Sequence, residues 1–237
     1  MNYSLRIYFR KIEIVNPPKE RRGRTVYVSN HASAFMDPLV VGAFLRPIFF
    51  FMTRSDVFTS FSKPFLHSAQ MLPIYRQHDG TDTKGKNEET FRKSNQVLKS
   101  GRNLLVFGEG FTDDVFVRRL KPLKKGAAKM AFMSLESMHW EKKLYICGLG
   151  VNYTHPNKMG TDVLIAGSEK ICLNDFKEAY EESPAKVIRQ VTKLVEQQMQ
   201  ECITHVQDYD LCSFHENLQL LSRKGMHPDA FDSKLTL

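Results

Sequence analysis

Short apolar runs alternate with longer amphipathic segments along most of this chain. The runs are rich in β-branched and aromatic residues, which predicts strands at residues 25–29, 49–53, 71–75, 104–107, 144–151 and 163–166. Apolar residues at helical spacing predict helices over 38–46, 88–99 and 124–138, and a long helix that begins at Pro184. Strands separated by helices predict an α/β fold: a single domain with a largely parallel mixed sheet flanked by helices.

The N-terminal segment carries an amphipathic pattern of its own. Its apolar residues share one face of a predicted helix and two arginines lie off that face: Leu5, Tyr8, Phe9 and Ile12, with Arg6 and Arg10 elsewhere. Such a helix suits a membrane interface, where aromatic rings sink and arginines stay near phosphates. A helix packed on the protein's own core accounts for the same spacing, so both interpretations stay open.

Composition limits the class of protein and its partners. The 42% hydrophobic and 25% charged residues are those of an ordinary globular protein, and the net charge of +8 favours anionic partners. Four cysteines without a C-x-x-C pair indicate a reduced, intracellular protein. No run approaches the ~20 apolar residues that span a bilayer, and the N-terminus lacks a signal-peptide pattern. We therefore expect a cytoplasmic protein.

His31 and Asp37 are the candidate catalytic residues. His31 follows the strand predicted at 25–29 and precedes the helix predicted from Pro38, and α/β sheets hold their ligands at such strand exits. A histidine can take the proton of an attacking hydroxyl, and a carboxylate on its other ring nitrogen fixes the tautomer. Asp37 before a proline is also a good N-cap, and a loop histidine is often merely solvated, so the pair alone does not decide the function.

Four short blocks, in order, resemble the glycerolipid acyltransferases, the family that includes lysophosphatidic acid acyltransferase. The blocks span residues 29–153: His31 with Asp37, then 72–76 ending in Arg76, then 105–110 with Glu109 and Gly110, then 146–153. Four ordered blocks are far more specific than any one of them. The resemblance implies a glycerolipid acyltransferase-like fold and acyl transfer to a lipid hydroxyl.

The sequence departs from the family pattern in three respects, one of which is Thr112 in place of the arginine that often follows Glu-Gly. Five residues separate His31 from Asp37, one more than usual, so one residue must bulge if the carboxylate is to reach the ring. Gly108 and Gly148 stand where the third and fourth blocks normally carry proline. Glycine permits the same backbone path without fixing it in advance.

The resemblance implies roles for the remaining block residues. Arg76 would bind the phosphate or other anionic head of the acceptor, because its planar fork matches such oxygens. Glu109, Gly110 and Gly108 would line the acceptor pocket, with Glu109 bonding hydroxyls or holding Arg76. A structural salt bridge is the alternative for Arg76 and Glu109. Backbone amides near Gly148 would stabilise the oxyanion.

The densest basic cluster follows the third block and contains Arg118, Arg119, Lys124 and Lys125. It suits contact with anionic lipid or with the phosphates of CoA, and equally a solvated basic face. No nucleic-acid-binding signature is present, so we expect no nucleic acid partner. The chemistry requires no metal and no organic cofactor.

We predict an N-terminal interfacial segment at 1–20, an acyltransferase domain at 21–207, and a C-terminal extension at 208–237 that need not be complete. The predicted reaction transfers a fatty acyl group from acyl-CoA or acyl-carrier protein to a lysophosphatidate-like acceptor in phospholipid synthesis. The protein would work peripherally at the cytoplasmic face of an anionic membrane. Alternatives are the same chemistry on another lysolipid, such as an amino-acid-derived one, and a non-catalytic basic module that binds membranes.

Overall fold

The computed structural model describes residues 2–33, 35–74, 83–110 and 118–222. The strands within this part of the chain are β1 (Lys11–Val15), β2 (Thr25–Ser29), β3 (Phe49–Arg54), β4 (Met71–Ile74), β5 (Asn103–Phe107), β6 (Tyr145–Tyr153), β7 (Asp162–Gly167) and β8 (Ile171–Cys172). They form one sheet in the order β1-β7-β6-β2-β5-β3-β4, with β8 also paired to β6. Every strand expected from the sequence is therefore present.

Helices cover both faces of this sheet. They are α1 (Asn2–Tyr8), α2 (Met36–Phe44), α3 (Lys63–Ser68), α4 (Thr83–Lys99), α5 (Gly126–Ser137), α6 (Lys177–Glu182), α7 (Pro184–Cys202) and α8 (Cys212–Ser222), with short 3-10 helices at Ser55–Val57, Leu173–Phe176 and Tyr209–Leu211. The long helix begins at Pro184 with Ser183 as N-cap, as predicted. Along the described residues, no helix has both the length and the apolarity to cross a bilayer.

Strand direction confirms the largely parallel mixed sheet. β2 pairs in parallel with both β5 and β6, and β3 pairs in parallel with β4 and β5. β1 and β7 are also parallel to each other, whereas β6 runs antiparallel to β7 and β8. The carboxyl ends of β2, β5 and β6 consequently meet at one edge of the sheet.

The strand β2 lies at the centre and is buried on both faces, since all five of its residues are buried. Val26 and Val28 pack into a core that includes residues of α5 and α7. Tyr27 packs into a second core, on the opposite face, which includes residues of α1 and α2. A continuously apolar central strand is typical of a sheet covered by helices on both sides.

The N-terminal segment differs from the helix expected there. The helix α1 ends at Tyr8, and Ile12 lies in β1, which pairs with β7. Leu5 and Phe9 are 6% and 1% exposed, because both pack into the core shared with α2. The prediction that Ile12 continues the helical face is wrong, since the β-branched residues of 11–15 favour pairing with the sheet edge.

The close approach of α7 to β6 generates a stability prediction. A Cβ added at Gly150 would lie 2.1 Å from the carbonyl oxygen of Cys202, whereas one added at Gly126 would meet no atom within 4 Å. We expect Gly150→Ala to lower the free energy of unfolding by about 3 kcal/mol, because backbone cannot move aside cheaply. Gly126→Ala, the control, should be neutral or stabilise by less than about 1 kcal/mol. Urea denaturation measures both, and equal stabilities would contradict the packing.

Candidate active site

The candidate site lies at the edge where β2 and β5 end. The strand β2 ends at Ser29 and is followed by His31, while β5 ends at Phe107 and is followed by residues 108–110. Gly108 donates its N–H to the carbonyl of Ser29 over 2.9 Å, which extends the pairing of the two strands into the loops. His31 therefore occupies the strand exit that the sequence predicted for it.

His31 and Asp37 form a hydrogen-bonded pair. The Nδ1 atom of His31 lies 3.0 Å from Oδ2 of Asp37, and the two side chains are 15% and 0% exposed. The loop between them closes locally, because Ser33 donates its N–H to Oδ2 over 2.9 Å and Asp37 donates its own N–H to the Ser33 carbonyl. Phe35 is 75% exposed in this loop. The longer spacing is thus absorbed without separating the pair.

The beginning of α2 differs from the expectation. The helix starts at Met36, with Phe35 at its N-cap, so Asp37 lies within the first turn. Asp37 directs its carboxylate to His31 and to the N–H of Ser33 instead of capping the helix that Pro38 continues. The alternative interpretation of Asp37 as the N-cap is therefore wrong. Because the Asp37 carboxylate does not cap α2, it is available to bind the ring of His31.

The Asp37 carboxylate is fully buried and hydrogen-bonded on both oxygens. The hydroxyl of Tyr153, at the end of β6, donates to Oδ1 over 2.8 Å. Burial raises the pKa of Asp37, and the hydrogen bonds from His31, Ser33 and Tyr153 oppose that rise. The same burial, with the adjacent carboxylate, raises the pKa of Tyr153 well above its ordinary value, so the phenol stays a donor.

The ring and backbone of His31 are fixed from a second side. Its ring stacks on Phe107 with centroids 4.1 Å apart and planes inclined by 17°. The backbone N–H of His31 donates to Oε2 of Glu109 over 3.0 Å. With Nδ1 bonded to Asp37, Nε2 carries the lone pair, and within the described part of the chain no group bonds to it. The arrangement presents a base to whatever enters beside Nε2.

Glu109 bonds backbone on both oxygens. Besides the N–H of His31, it accepts the N–H of Lys121 over 3.1 Å, and it is 3% exposed. Burial raises the pKa of Glu109, and the two backbone hydrogen bonds oppose that rise. Arg76, the residue it was expected to hold, lies outside the described residues. Glu109 thus joins the His31 loop to the chain that follows residue 118.

The glycines of the third block have distinct positions. A Cβ at Gly108 would lie 2.6 Å from Val28 and 2.8 Å from Leu123, and proline there would lack the N–H that bonds Ser29. Gly108 is buried under these side chains, whereas Gly110 is exposed and has a φ of +79°, which favours glycine. Of the two glycines, only Gly110 is accessible from solvent.

Gly148 lies within β6, opposite Val28 of β2. Its N–H donates to the hydroxyl of Ser168 over 2.8 Å, and a Cβ there would lie 2.7 Å from Met199. The amide is already engaged beneath α7. Of the backbone amides near Gly148 that were expected to stabilise an oxyanion, the Gly148 amide itself is therefore not free to do so.

The basic cluster divides into a buried and an exposed part. Arg118 is 6% exposed and donates to the carbonyls of Tyr153 and Thr154 over 2.9 and 3.0 Å, so it cannot serve as the surface contact predicted for it. Arg119, Lys124 and Lys125 are exposed. The misassignment of Arg118 arose because a run of charges does not reveal which guanidinium the fold buries.

Sequence reasoning did not assign a function to Asn30 or Tyr153. The side chain of Asn30 bonds both the N–H and the carbonyl of Val151, over 2.8 and 2.9 Å, and ties the His31 loop to β6. Tyr153 is 116 residues from Asp37 in the chain, so no local pattern links them.

Within the described residues, no group of three or more His, Cys, Asp or Glu side chains could hold a metal.

The model of the Acyltransferase family matches residues 6–151, more than half of the chain, and the chain belongs to this family. Among solved structures it is similar to the 1-acyl-sn-glycerophosphate (LPA) acyltransferase PlsC from Thermotoga maritima, with a TM-score of 0.53 over 79% of this chain and 71% of that one, at 16% identity. That likeness confirms the glycerolipid acyltransferase-like fold. No curated protein matches the sequence.

The raised pKa of Glu109 predicts a pH-dependent effect on stability. The folded protein holds a proton on Glu109 more tightly than the unfolded chain does. The resulting contribution to the free energy of unfolding is fully present below the pKa of the unfolded chain, about 4.3, and is lost as pH rises through the pKa of the folded state. Gln at this position does not titrate. We therefore expect the free energy of unfolding of Glu109→Gln to increase relative to that of the unmodified protein as pH rises. Urea denaturation at a series of pH values measures this difference.

Glu89→Gln is a matched control with the opposite sign. The exposed Glu89 has its pKa lowered by the hydrogen bond from Lys93, so its contribution is present above the unfolded pKa and is lost as pH falls. The free energy of unfolding of Glu89→Gln, relative to that of the unmodified protein, should then decrease slightly as pH rises. Parallel curves for Glu109→Gln and the unmodified protein would contradict the assignment of a raised pKa to Glu109.

Proposed function

We propose that the protein transfers a fatty acyl group from acyl-CoA or acyl-carrier protein to the hydroxyl of a lysophosphatidate-like acceptor. One observation carries the proposal: His31 Nδ1 lies 3.0 Å from a buried Asp37, which leaves Nε2 as a base at the sheet edge. A neutral imidazole oriented by a carboxylate is suited to proton transfer from an alcohol near neutral pH. The reaction class follows from that base and from membership in the Acyltransferase family.

The proposed mechanism needs no covalent enzyme intermediate. His31 Nε2 takes the acceptor's hydroxyl proton as the hydroxyl oxygen attacks the thioester carbon, and Asp37 stabilises the imidazolium that forms. The tetrahedral intermediate then collapses, the carbon–sulfur bond breaks, and the imidazolium gives its proton to the departing thiolate. Stacking on Phe107 and the Glu109 bond to the His31 backbone hold the imidazole in place through both steps.

The acceptor is proposed on chemical grounds. Arg76 would bind its anionic head, with Gly110 and the turn at 108–110 forming the wall beside it. The similar structure from Thermotoga maritima is named as a 1-acyl-sn-glycerophosphate acyltransferase, which supports a phosphate-bearing acceptor and a place in phospholipid synthesis. A lysolipid with an amino-acid-derived head uses the same chemistry, and a panel of acceptors with labelled acyl donor distinguishes the two.

The exposed basic residues support an anionic substrate or surface beside the site. Lys124 donates its N–H to the carbonyl of Gly108 over 2.8 Å and its exposed side chain lies next to Gly110, and the exposed Lys125 follows it in the chain. Tyr3 and Ile7 are 86% and 71% exposed on the outer side of α1. Aromatic and aliphatic side chains of this kind favour peripheral attachment at an anionic membrane, which we propose for the cytoplasmic face.

The first prediction for the mechanism concerns His31. We expect His31→Ala to lower kcat by about 10²–10⁴-fold, because the general base is lost. The measurement is the rate of thiol release and of acylated lipid formed from acyl-CoA, with circular dichroism to establish that the variant is folded. His215→Ala, which changes an exposed histidine on α8, is the matched control and should keep full activity.

Full activity in a folded His31→Ala protein would rule the mechanism out. The rival function, a non-catalytic basic module that binds anionic membranes, predicts no thioester consumption by the unmodified protein with any acceptor. It also predicts vesicle binding that His31→Ala leaves unchanged. Turnover by the unmodified protein that depends on His31 excludes this rival.

A second prediction concerns the exposed lysines. We expect the double change Lys124→Gln and Lys125→Gln to raise the KM for acyl-CoA about three- to tenfold at low ionic strength, with kcat little changed. The difference should shrink in about 0.5 M salt, because exposed charges are screened. The matched control replaces Lys142 and Lys143, which are exposed before β6 at the opposite edge of the sheet. Equal effects of the two pairs would indicate a general effect of net charge.

A further inference from the structure

Tyr153 makes a contact that neither the acyl transfer nor the family resemblance assigns. Its hydroxyl lies 2.8 Å from Oδ1 of Asp37, and both side chains are 0% exposed. The other carboxylate oxygen, Oδ2, already accepts from the Nδ1 of His31 and the N–H of Ser33. In the described part of the chain, the Tyr153 hydroxyl is therefore the one donor that satisfies Oδ1.

Tyr153 is itself held at its ring and at its backbone. Phe9 stacks against it with centroids 5.8 Å apart and planes inclined by 28°. Its backbone carbonyl accepts from the guanidinium of Arg118 over 2.9 Å, and Arg118 binds the next carbonyl as well. Phe9 follows α1 and Tyr153 ends β6, so the hydroxyl is positioned by parts of the fold that do not carry the reacting atoms.

We propose that Tyr153 is a positioning residue that fixes the Asp37 carboxylate, and through it the tautomer and orientation of the His31 imidazole. The proposal rests on the function proposed above for His31 and Asp37. A buried carboxylate with one unsatisfied oxygen is costly, and it turns toward any other donor that it can reach. With the hydroxyl in place, Oδ1 is occupied, and Oδ2 stays aligned with Nδ1.

Removal of the hydroxyl should also change how the pair titrates. Burial raises the pKa of Asp37, and the Tyr153 hydrogen bond is one of the interactions that oppose this rise. Without this hydrogen bond, the His31–Asp37 pair in its anionic form binds a proton more tightly. The acidic limb of the plot of kcat against pH therefore moves to higher pH. Among the described residues, the titratable groups around this pair are Tyr153, which acts on Asp37, and Glu109, which interacts with His31, while Tyr8 acts on Tyr153.

The test is Tyr153→Phe in the full chain, assayed with acyl-CoA and the acceptor that the unmodified enzyme uses. We expect kcat to fall about tenfold, which is the effect of losing one hydrogen bond to a charged group. We also expect KM to change by less than about twofold, because Tyr153 is buried and is not placed to touch substrate. The acid limb should move to higher pH.

Tyr27→Phe is the matched control. Tyr27 is 1% exposed on β2 in the same core as Tyr153, and burial raises the pKa of its hydroxyl, with Thr25 and Cys147, but neither His31 nor Asp37, among the groups that act on it. It therefore reproduces the loss of a buried hydroxyl without touching Asp37. The proposal would be overturned if Tyr153→Phe left both kcat and the acidic limb unchanged. It would also be overturned if Tyr27→Phe lowered kcat and shifted the acidic limb as Tyr153→Phe does.

Coupling through Asp37 gives a second readout. Asp37→Ala removes the carboxylate through which Tyr153 acts, so adding Tyr153→Phe to Asp37→Ala should change kcat by less than about twofold. A further tenfold loss in that background would show that Tyr153 acts elsewhere and would overturn the proposal. Full activity of His31→Ala would instead refute the function on which the proposal rests, so the two failures are distinguishable.

Discussion

The burial of one carboxylate is the constraint on which this structure depends. Asp37 is 0% exposed, and a buried charge is tolerated only when hydrogen bonds replace the water it has lost. Its donors come from the loop after β2, which supplies Ser33 and His31, and from the far end of β6, which supplies Tyr153. The sheet must pair β2 with β6 in this register before the site exists. Fold and chemistry are therefore linked through a single side chain.

The same hydrogen bonds that close the edge of the sheet also shape the site. Gly108 bonds Ser29 as an extension of the β2–β5 pairing, and the Asn30 side chain bonds Val151 as an extension of the β2–β6 pairing. Glu109 then bonds the backbone of His31, which lies between these two connections. Site residues placed on rigid elements keep the geometry that proton transfer requires. The glycine at position 108 belongs to this design, because a proline could not donate to Ser29.

Periodicity was sufficient to predict six strands of the sheet and four of its helices, and the strand-exit histidine together with the family resemblance predicted the His31–Asp37 pair. Those features are local or follow from general rules for α/β sheets. The errors have equally specific causes. Ile12 fits a helical face and a strand edge alike, and only its pairing with β7 decides between them. Tyr153 and Arg118 act through contacts between distant parts of the chain, and a sequence pattern carries no sign of such contacts.

The distribution of charge around His31 separates chemistry from binding. Two buried carboxylates contact this residue, Asp37 at the ring and Glu109 at the backbone, in a protein whose net charge is +8. In the proposed mechanism, the buried negative charges favour the imidazolium that forms during proton transfer, and low polarity strengthens that interaction. Exposed side chains such as Lys124 would favour the approach of the proposed anionic substrate. The proposed reaction uses both signs of charge, and the fold keeps them apart by burying the carboxylates and exposing the lysines.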